Sequence, residues 1–258
     1  MLIRSLSSAL AAVLLVAACH AQEPPGDWRS LPLVKDGKVN PSWVQLGYGG
    51  FVVEEGSLKT DCSEKGLGLL LYKKEKLGNC QIRVVFRAQD EKSNAGVFVR
   101  IDDGILEQAG KNHAPGKRDA SGKLSPESLQ AFMDASEKEI GAWYAVHHGY
   151  EVQICDASDA IHGTGAIYSL AKAEAAPKKE PGQWRTMIIT LRGNLVLVEI
   201  DGKPVTSFDP ASKDIPQDQK WFEPRREPKR PQVGYIGLQN HDPGDVVWFK
   251  EVSVRPLP

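Results

Sequence analysis

The sequence predicts an all-β protein, a sandwich or barrel of antiparallel strands, and three observations support this. Many short apolar segments in the 258 residues are separated by turn signals. Two of them, residues 94–100 (NAGVFVR) and 150–154 (YEVQI), alternate apolar and polar side chains, as a strand with one buried face does. No internal repeat indicates a propeller or a solenoid. We therefore expect one large β domain in the body of the chain.

The predicted strands follow one another closely along the chain. They span residues 51–53, 57–60, 67–72, 81–87, 96–101, 150–154, 165–170, 184–191, 195–200, 205–208, 234–239 and 246–254. Residues 54–56 (EEG) and 201–202 (DG) read as tight turns, and residues 192–194 (RGN) as a three-residue hairpin loop. Turn signals at this spacing are typical of a sandwich or barrel.

Residues 102–149 interrupt the strands as an insertion that begins polar and then contains one predicted helix. Ser125 is its predicted N-cap and Pro126 its first residue, and an approximate apolar stripe runs from Leu129 to Ile140. Because the insertion directly follows Arg100, we expect it over or beside the polar strand faces. There it forms either the wall of a site or a surface excursion.

Residues 209–232 form the second interruption and are rich in proline and charge, which predicts an irregular loop. Trp221 and Phe222 stand together in this polar segment. They either line a sugar site or anchor the loop to the core.

Residues 1–21 are predicted to be a signal peptide of the lipoprotein type. Arg4 precedes an apolar run at residues 9–18 that is too short to span a bilayer. The run ends in Val16-Ala17-Ala18-Cys19, which resembles a bacterial lipoprotein box with Cys19 as the lipidated residue. An ordinary signal cleaved after Ala21 is the alternative. We expect residues 22–258 to form a single exported domain, either periplasmic or anchored at the outer membrane.

Charge and composition limit the classes of partner that the protein is expected to bind. The chain has 32 Lys and Arg against 33 Asp and Glu, so nothing favours nucleic acid or an anionic membrane surface. Membrane contact is expected only through the lipid, and the expected partner is a small sugar. No cofactor is predicted, although a structural or catalytic divalent metal stays open. Asp102 and Asp103 either bind calcium or are simply solvated.

Three cysteines remain once Cys19 carries the lipid: Cys62, Cys80 and Cys155. Cys62 and Cys80 flank a strand-rich segment and either form a disulfide or stay free. Cys155 is interpreted as a small buried residue rather than a nucleophile, because no Cys–His arrangement accompanies it.

The two alternating strands predict a core face and a functional face. Val97, Val99, Val152 and Ile154 should lie in the core. Strict alternation then puts Asn94, Arg100, Glu151 and Gln153 on the opposite faces. A strand surface with these polar residues beside aromatic side chains is typical of a site for a polyhydroxylated ligand.

Five motifs occur in a fixed order and carry a family resemblance. They are residues 94–100 (NAGVFVR), 150–154 (YEVQI), 164–168 (TGAIY), 182–184 (GQW) and 234–241 (GYIGLQNH), and residues 247–252 (VWFKEV) fit a closing strand. This ordered set, from about residue 28 to 257, resembles the 3-keto-disaccharide hydrolase family. The resemblance implies a concanavalin A-like jelly-roll sandwich of two antiparallel sheets. It also implies cleavage, by hydrolysis or elimination, of glycosides already oxidised at C3.

The chain departs from the family pattern in three places. It has Ala95 where the family usually has Ser, Arg185 where it usually has Asn after Trp, and the long insertion after Arg100. These differences leave the substrate open.

The chemistry that the resemblance implies assigns roles to several residues. A ketone at C3 acidifies the proton on C2, so the site needs a base there, a donor to the C3 oxygen and help for the leaving group. Glu151 is the candidate base and His241 the candidate helper of the leaving group. Arg100 and Gln153 are expected to polarise the keto oxygen or to hold hydroxyls.

Four more residues are candidate substrate contacts: Asn94, Asp156, Tyr168 and Gln239. Asp156 has the opposite strand parity to Glu151, so the two-carboxylate arrangement of ordinary glycosidases is not supported by this pair. Glu151 and Arg100 are alternatively a cross-strand ion pair. The whole chain is alternatively a non-catalytic carbohydrate-binding lipoprotein on a lectin-like sandwich, because fold does not determine function.

Overall fold

The structure is a computed structural model that describes residues 27–62, 66–112, 116–117, 123–174, 180–212, 220–225 and 229–258. The predicted signal peptide and Cys19 lie outside these residues. No helix in the described part of the chain is long and apolar enough to cross a bilayer.

Fifteen strands and three helical segments make up the described fold. The strands are β1 Arg29–Ser30, β2 Val34–Lys35, β3 Lys38–Val39, β4 Trp43–Gly47, β5 Gly50–Glu54, β6 Ser57–Asp61, β7 Gly68–Leu77, β8 Cys80–Ala88, β9 Ala95–Ile101, β10 Tyr150–Ile154, β11 Arg185–Arg192, β12 Leu195–Ile200, β13 Lys203–Phe208, β14 Gly234–Asn240 and β15 Val247–Pro256. The helices are α1 Pro126–Glu137 and α2 Ala142–His148, and Asp103–Gln108 forms a 3-10 helix.

Two antiparallel sheets form the predicted sandwich, which is thereby confirmed. The larger sheet has the order β13-β12-β11-β8-β15-β6-β5, with β1 also paired to β15, and the smaller one has the order β10-β9-β14-β7-β4. Their facing sides enclose the main core, in which Val97, Val99, Val152 and Ile154 are buried as predicted. The strand alternation that the sequence shows therefore fixes which face of β9 and β10 meets the second sheet.

A second apolar cluster lies on the outer face of the five-stranded sheet. Leu69, Leu71 and Phe98 of that face pack against Ala135 of α1 and Trp143 of α2. The 102–149 insertion thus covers part of this face, as expected from its position in the chain. Burying these apolar side chains beneath the two helices holds the insertion in place.

Helix α1 begins as the sequence predicts. Ser125 caps it by accepting a hydrogen bond from the N–H of Ser128, and Pro126 is the first helical residue. Helix α2 was not predicted, because its seven residues are too few to show a helical period. It starts after Gly141, whose φ of 62° lies in the left-handed region that favours glycine.

Strand β9 contains a β-bulge at Arg100 that the alternation argument missed. Tyr235 and Gly237 of β14 pair with Ile101 and Phe98, so three steps along β9 match two along β14. Arg100 has a φ of 56° at this extra residue. The bulge turns the Arg100 side chain towards the main core, near Tyr150 and Cys80, and burial there lowers the pKa of its guanidinium. The predicted outward position of Arg100 is therefore wrong.

Two local strand predictions are also corrected. Residues 165–170 do not form a strand, because only Ile167 makes isolated bridges, to Val152 and to Ala171. The hairpin between β11 and β12 has a two-residue loop, since Arg192 already pairs with Leu195.

The alternative of a Cys62–Cys80 disulfide is excluded, since both thiols are free. Cys80 pairs with Pro256 at one end of β15, whereas β6, which precedes Cys62, pairs with the other end at Trp248. Eight residues of strand separate these positions by about 26 Å. Cys155 is buried as expected, with its thiol accepting from the Ser158 hydroxyl at 3.2 Å.

Hydrogen bonds through the buried His147 connect residues 220–225 to the insertion. The Nε2 of His147 lies 2.9 Å from the Ser136 hydroxyl, which donates to the carbonyl of Trp221 at 2.6 Å. Its Nδ1 accepts from the N–H of Arg225 at 3.3 Å. This chain of hydrogen bonds requires a neutral imidazole with its proton on Nε2. Burial, reinforced by the nearby charge of Arg225, lowers the pKa of His147 to about 4.

We expect this arrangement to weaken the fold as the pH falls. The unfolded imidazole binds a proton near pH 6.5 and the folded one only near pH 4, so stability rises with pH between these values. Between pH 7 and pH 4.5 the loss from His147 amounts to about 2–3 kcal/mol. His147→Gln keeps a donor for Ser136 but does not titrate. Chemical denaturation at pH 7 and at pH 4.5 measures the free energy of unfolding of both proteins. Between these pH values it should fall by about 2–3 kcal/mol less in His147→Gln than in the wild type, and an equal fall in both would contradict this assignment.

Candidate active site

A cavity of about 360 Å³ opens on the outer face of the five-stranded sheet, beside the area that the helices cover. Its polar lining comes from the ends of β9, β10 and β14 and from nearby loops. These residues are Asn94, Glu151, Gln153, Tyr168, Gln239, His241 and Asp242. Two larger clefts, of about 1080 and 540 Å³, contain neither Glu151 nor His241. The smaller cavity is therefore the candidate site.

Glu151 reaches the centre of this site because Gly96 has no side chain. Gln153 pairs with Gly96 across β10 and β9, and Glu151 pairs with Phe98 on the same outer face. A Cβ atom at position 96 would collide with the carboxyl group of Glu151, which lies over the glycine. From there the carboxyl group contacts Gln239 on β14. The Gly in the NAGVFVR motif is thus needed for close approach.

The carboxyl group of Glu151 is held away from water, and only 9% of the residue is exposed. Burial raises its pKa to about 8, and the charge of His241 and the hydrogen bond from Gln239 offset only part of this effect. A carboxyl group with this pKa exchanges its proton readily near neutral pH. A shift of this size in a cavity is typical of a general acid or base.

Gln239 suits both protonation states of Glu151. Its amide nitrogen donates to the ionised carboxylate, which lowers the pKa of Glu151, while its oxygen has no partner among the described residues. A half-turn of the amide exchanges nitrogen and oxygen, so Gln239 can also accept from the protonated acid. The Asn94 oxygen likewise lacks a partner among the described residues. Both amides therefore retain acceptor capacity at the site.

His241 is oriented by Asp245, a residue that the sequence reasoning did not identify. The Nδ1 of His241 lies 3.0 Å from one carboxylate oxygen of Asp245, which leaves Nε2 as the other functional nitrogen. Burial lowers the pKa of His241, but the Asp245 hydrogen bond and the surrounding carboxylates outweigh it and raise the pKa above its usual value. The arrangement favours a protonated imidazole whose charge acts on Glu151.

Asp245 also connects two segments at the rim of the site through hydrogen bonds. Its carboxylate accepts from the backbone N–H of Asn94 at 3.1 Å and from that of Asp242 at 3.0 Å. The only sequence signal was its spacing of four residues from His241 around Pro243-Gly244. Its contact with Asn94, 151 residues earlier, depends on the tertiary fold.

Gln153, in β10, and Tyr168, beside β10, line one side of the cavity. The N–H of Tyr168 donates to the carbonyl of Glu151 at 2.9 Å, although Tyr168 is outside any strand. Burial, followed by the negative charge of Glu151, raises the pKa of the Tyr168 hydroxyl, so it stays protonated and available as a donor. The side-chain oxygen of Gln153 accepts from the N–H of Ile154 at 3.2 Å.

Asp156 and Arg100 do not join this group. The Nη1 of Arg185 donates to both carboxylate oxygens of Asp156, at 2.9 and 3.0 Å. Arg100 donates to the carbonyls of Gly193 at 2.6 Å and Pro231 at 3.2 Å. The expected placement of Arg100 on the same surface as Glu151 is therefore wrong, because of the bulge. The alternative of a Glu151–Arg100 ion pair fails for the same reason. Asp156, a candidate substrate contact, does not line the cavity, which agrees with its strand parity opposite to that of Glu151.

The opposite wall of the cavity is apolar and comes from the insertion and the 220–225 loop, together with Leu67, which directly precedes β7. Its residues are Leu67, Leu124, Phe132, Trp143, Val146, Trp221 and Phe222. The rings of Trp143 and Trp221 are 5.6 Å apart, and Phe222 meets Trp221 edge-on at 5.4 Å. Trp221 and Phe222 also pack against the second apolar cluster, so they anchor the loop and line the cavity at the same time.

Asp102 and Asp103 have partners of their own. The carboxylate of Asp102 accepts from Tyr144 at 2.6 Å and contacts His148 at 2.7 Å, while Asp103 pairs with Lys76 at 3.0 Å. No group of three or more His, Cys, Asp or Glu residues in the described ranges is arranged to hold a metal ion.

The fold and the cavity define a β-sandwich that carries a carboxyl group and an imidazole in a polar cavity on one sheet face. A family model, the 3-keto-alpha-glucoside-1,2-lyase-like domain, matches residues 27–255, and the chain belongs to this family. Family membership gives the protein a carbohydrate-related function. No curated protein matches the chain in sequence.

Solved structures share the fold. Two candidate glycosyl hydrolases from Parabacteroides distasonis are 22% and 17% identical, with TM-scores of 0.55 and 0.54. The first match covers 90% of this chain and 100% of the other, and the second covers 86% and 91%. A Bacillus subtilis protein of unknown function with a galectin-like fold is 12% identical, with a TM-score of 0.51, over 92% of this chain and 99% of its own. At these identities the likeness shows the architecture.

Removing the Gln239 hydrogen bond should raise the pKa of Glu151 further. We expect Gln239→Leu to move the titration of Glu151 to higher pH, because the interaction that favours the carboxylate is lost. The carboxyl band of Glu151, isolated as an infrared difference against Glu151→Gln, measures this. Gln153→Leu is the matched control, since Gln153 bonds to the backbone and should leave the midpoint in place. A midpoint that stays or falls in Gln239→Leu would refute the contact.

Arg100→Met tests the corrected position of Arg100. We expect it to lower the free energy of unfolding by roughly 1–3 kcal/mol, because two hydrogen bonds to backbone carbonyls are lost. The infrared titration of Glu151 should stay unchanged, because the guanidinium lies on the other face of the sheet. A clear shift in that titration would place Arg100 back in the cavity.

Proposed function

We propose that the protein cleaves the glycosidic bond of 3-keto-glycosides, including 3-keto-disaccharides, by removing the C2 proton and eliminating the group at C1. The observation that carries this proposal is the buried Glu151, with its raised pKa, in one cavity with the His241–Asp245 pair. The family match supports the same chemistry. Net hydrolysis follows when water later adds to the eliminated sugar.

The reaction needs few protein groups because the C3 ketone itself acidifies the C2 proton and accepts the electron pair as an enolate. Ionised Glu151 takes the proton from C2, and the electron pair of that C–H bond forms an enolate with the C3 oxygen. The enolate then expels the C1 oxygen as a C1–C2 double bond forms. Protonated His241 gives its proton to the departing oxygen, so the leaving group departs as a neutral alcohol. A positioned base contributes about 10²–10⁴-fold to such a step.

The electrostatics of the pair fit these two roles. The pKa of Glu151 is raised towards that of the weakly acidic C2 proton, which makes it a stronger base than an ordinary carboxylate. The pKa of His241 is also raised, which keeps a proton available for the leaving group. The protonated Tyr168 hydroxyl and the amides of Gln153 and Gln239 supply contacts for the keto oxygen and the hydroxyl groups.

We further propose that the enzyme acts outside the cytoplasm, in the periplasm or on the outer membrane through lipidated Cys19. The lipoprotein-like motif at residues 16–19 supports this location.

Glu151→Gln tests the catalytic proposal directly. The change keeps the shape of the side chain and removes the base, so turnover of a 3-keto-glycoside should fall about 10²–10³-fold, or about 3–4 kcal/mol of barrier. In the wild type the rate should rise with pH towards about 8, as Glu151 ionises. Sugar release measured against pH gives both results. Glu137→Gln, at the exposed end of α1, is the matched control and should keep full activity.

Three outcomes would contradict the proposal in whole or in part. Rapid cleavage of the unoxidised parent glycoside would reject elimination, because its C2 proton is not acidic. Binding of 3-keto-glycosides without any cleavage by the wild type would favour the alternative of a non-catalytic carbohydrate-binding protein. Near-normal turnover in Glu151→Gln would assign the base to another residue.

A further inference from the structure

We infer that the apolar wall of the cavity is a subsite for a flat, apolar aglycone, so that the preferred substrates are aryl 3-keto-glycosides rather than 3-keto-disaccharides. This inference rests on the proposed function, because it assigns the leaving group of that reaction. It concerns Phe132, Trp143, Val146, Trp221 and Phe222, which come from the insertion and the 220–225 loop.

The cavity has two chemically different halves that come from different parts of the chain. Carboxyl, amide and imidazole groups project from the sheet and from the segment after β14. Facing them are aliphatic and aromatic side chains from α1, α2 and residues 220–225. A ligand that fills the cavity therefore meets polar groups at one end and apolar ones at the other.

The proposed chemistry decides which end of the substrate meets which half. C2 must lie against Glu151, and the C3 oxygen must reach donors, so the oxidised sugar occupies the polar half. The bond from C1 to the leaving group then points away from the sheet, towards Trp143 and Phe222. The aglycone is the part of the substrate that this wall contacts.

The wall offers a second sugar few hydrogen-bond partners. A sugar ring carries several hydroxyl groups, each of which needs hydrogen-bond partners when it is buried. Among the described residues of the wall, the side-chain polar groups are the indole N–H groups of Trp143 and Trp221, which are donors only. The Trp143 N–H has no partner there. An aromatic ring instead gains from packing edge-on or offset against these aromatic side chains.

The wall is held in position before any ligand binds. The carbonyl of Trp221 accepts from the Ser136 hydroxyl at 2.6 Å, and Arg225 pairs with Glu139 at 2.7 Å. Trp143 and Val146 are also packed in the second apolar cluster beneath the helices. Because these side chains need little ordering on binding, a flat ligand loses less entropy there. An aryl oxide also leaves C1 more easily than a sugar alkoxide does.

The test compares three 3-keto-glucosides that differ only at C1, with phenyl, methyl and glucosyl groups, each in both anomers. Affinity for Glu151→Gln is measured by calorimetry, and kcat/KM for the wild type by sugar release. We expect the phenyl glycoside to bind at least tenfold more tightly than the other two. We also expect Phe222→Ala to lower the phenyl-to-methyl ratio of kcat/KM about tenfold. Trp184→Ala, whose ring stacks on Arg87 on the other sheet, should leave the ratio unchanged.

The outcomes separate this inference from the proposed function. If the glucosyl compound binds as tightly as the phenyl compound or more tightly, the aglycone assignment is overturned while the elimination stands. An unchanged ratio in Phe222→Ala also overturns it. If no 3-keto-glycoside is cleaved, the proposed function fails. The calorimetric comparison then still decides whether the wall prefers a flat, apolar group.

Discussion

The burial of one carboxyl group, that of Glu151, is the constraint on which the rest of the site depends. The carboxyl group lies over Gly96 and beneath a cavity rim, and the loss of water raises its pKa to about 8. An unpaired buried acid is costly, so the surrounding residues limit that cost. Gln239 donates to it, and His241, oriented by Asp245, supplies a positive charge nearby. Residues from β9, β10, β14 and the segment after β14 thus surround the ionisable carboxyl group of Glu151.

Much of this arrangement follows from alternation along two strands. The pattern of Val97, Val99, Val152 and Ile154 places one face of β9 and β10 in the core, and the structure agrees. The same pattern puts Glu151 and Gln153 on the outer face, where the cavity opens. Side chains on regular strands are predictable because their direction depends only on residue count.

Prediction from the sequence fails where a bulge interrupts the alternation of side chains along a strand, or where a role depends on contact between distant segments. One extra residue in β9 turns Arg100 inwards, and a bulge leaves no clear signal in a short apolar strand. Asp245 and Trp143 could not be assigned, since their roles depend on contacts with segments far away in the chain. Helix α2 is stabilised by packing against the sheet rather than by its own sequence.

The origin of the two halves of the cavity has a consequence for divergence within the family. Proton transfer is assigned to the sandwich itself, whereas the apolar wall is carried by a surface insertion and one loop. Exchange or shortening of the insertion leaves Gly96, Glu151 and the His241–Asp245 pair attached to their own strands. Under the proposed function, selectivity for the leaving group and proton transfer therefore depend on different parts of the chain, so that one can change in evolution while the other is preserved.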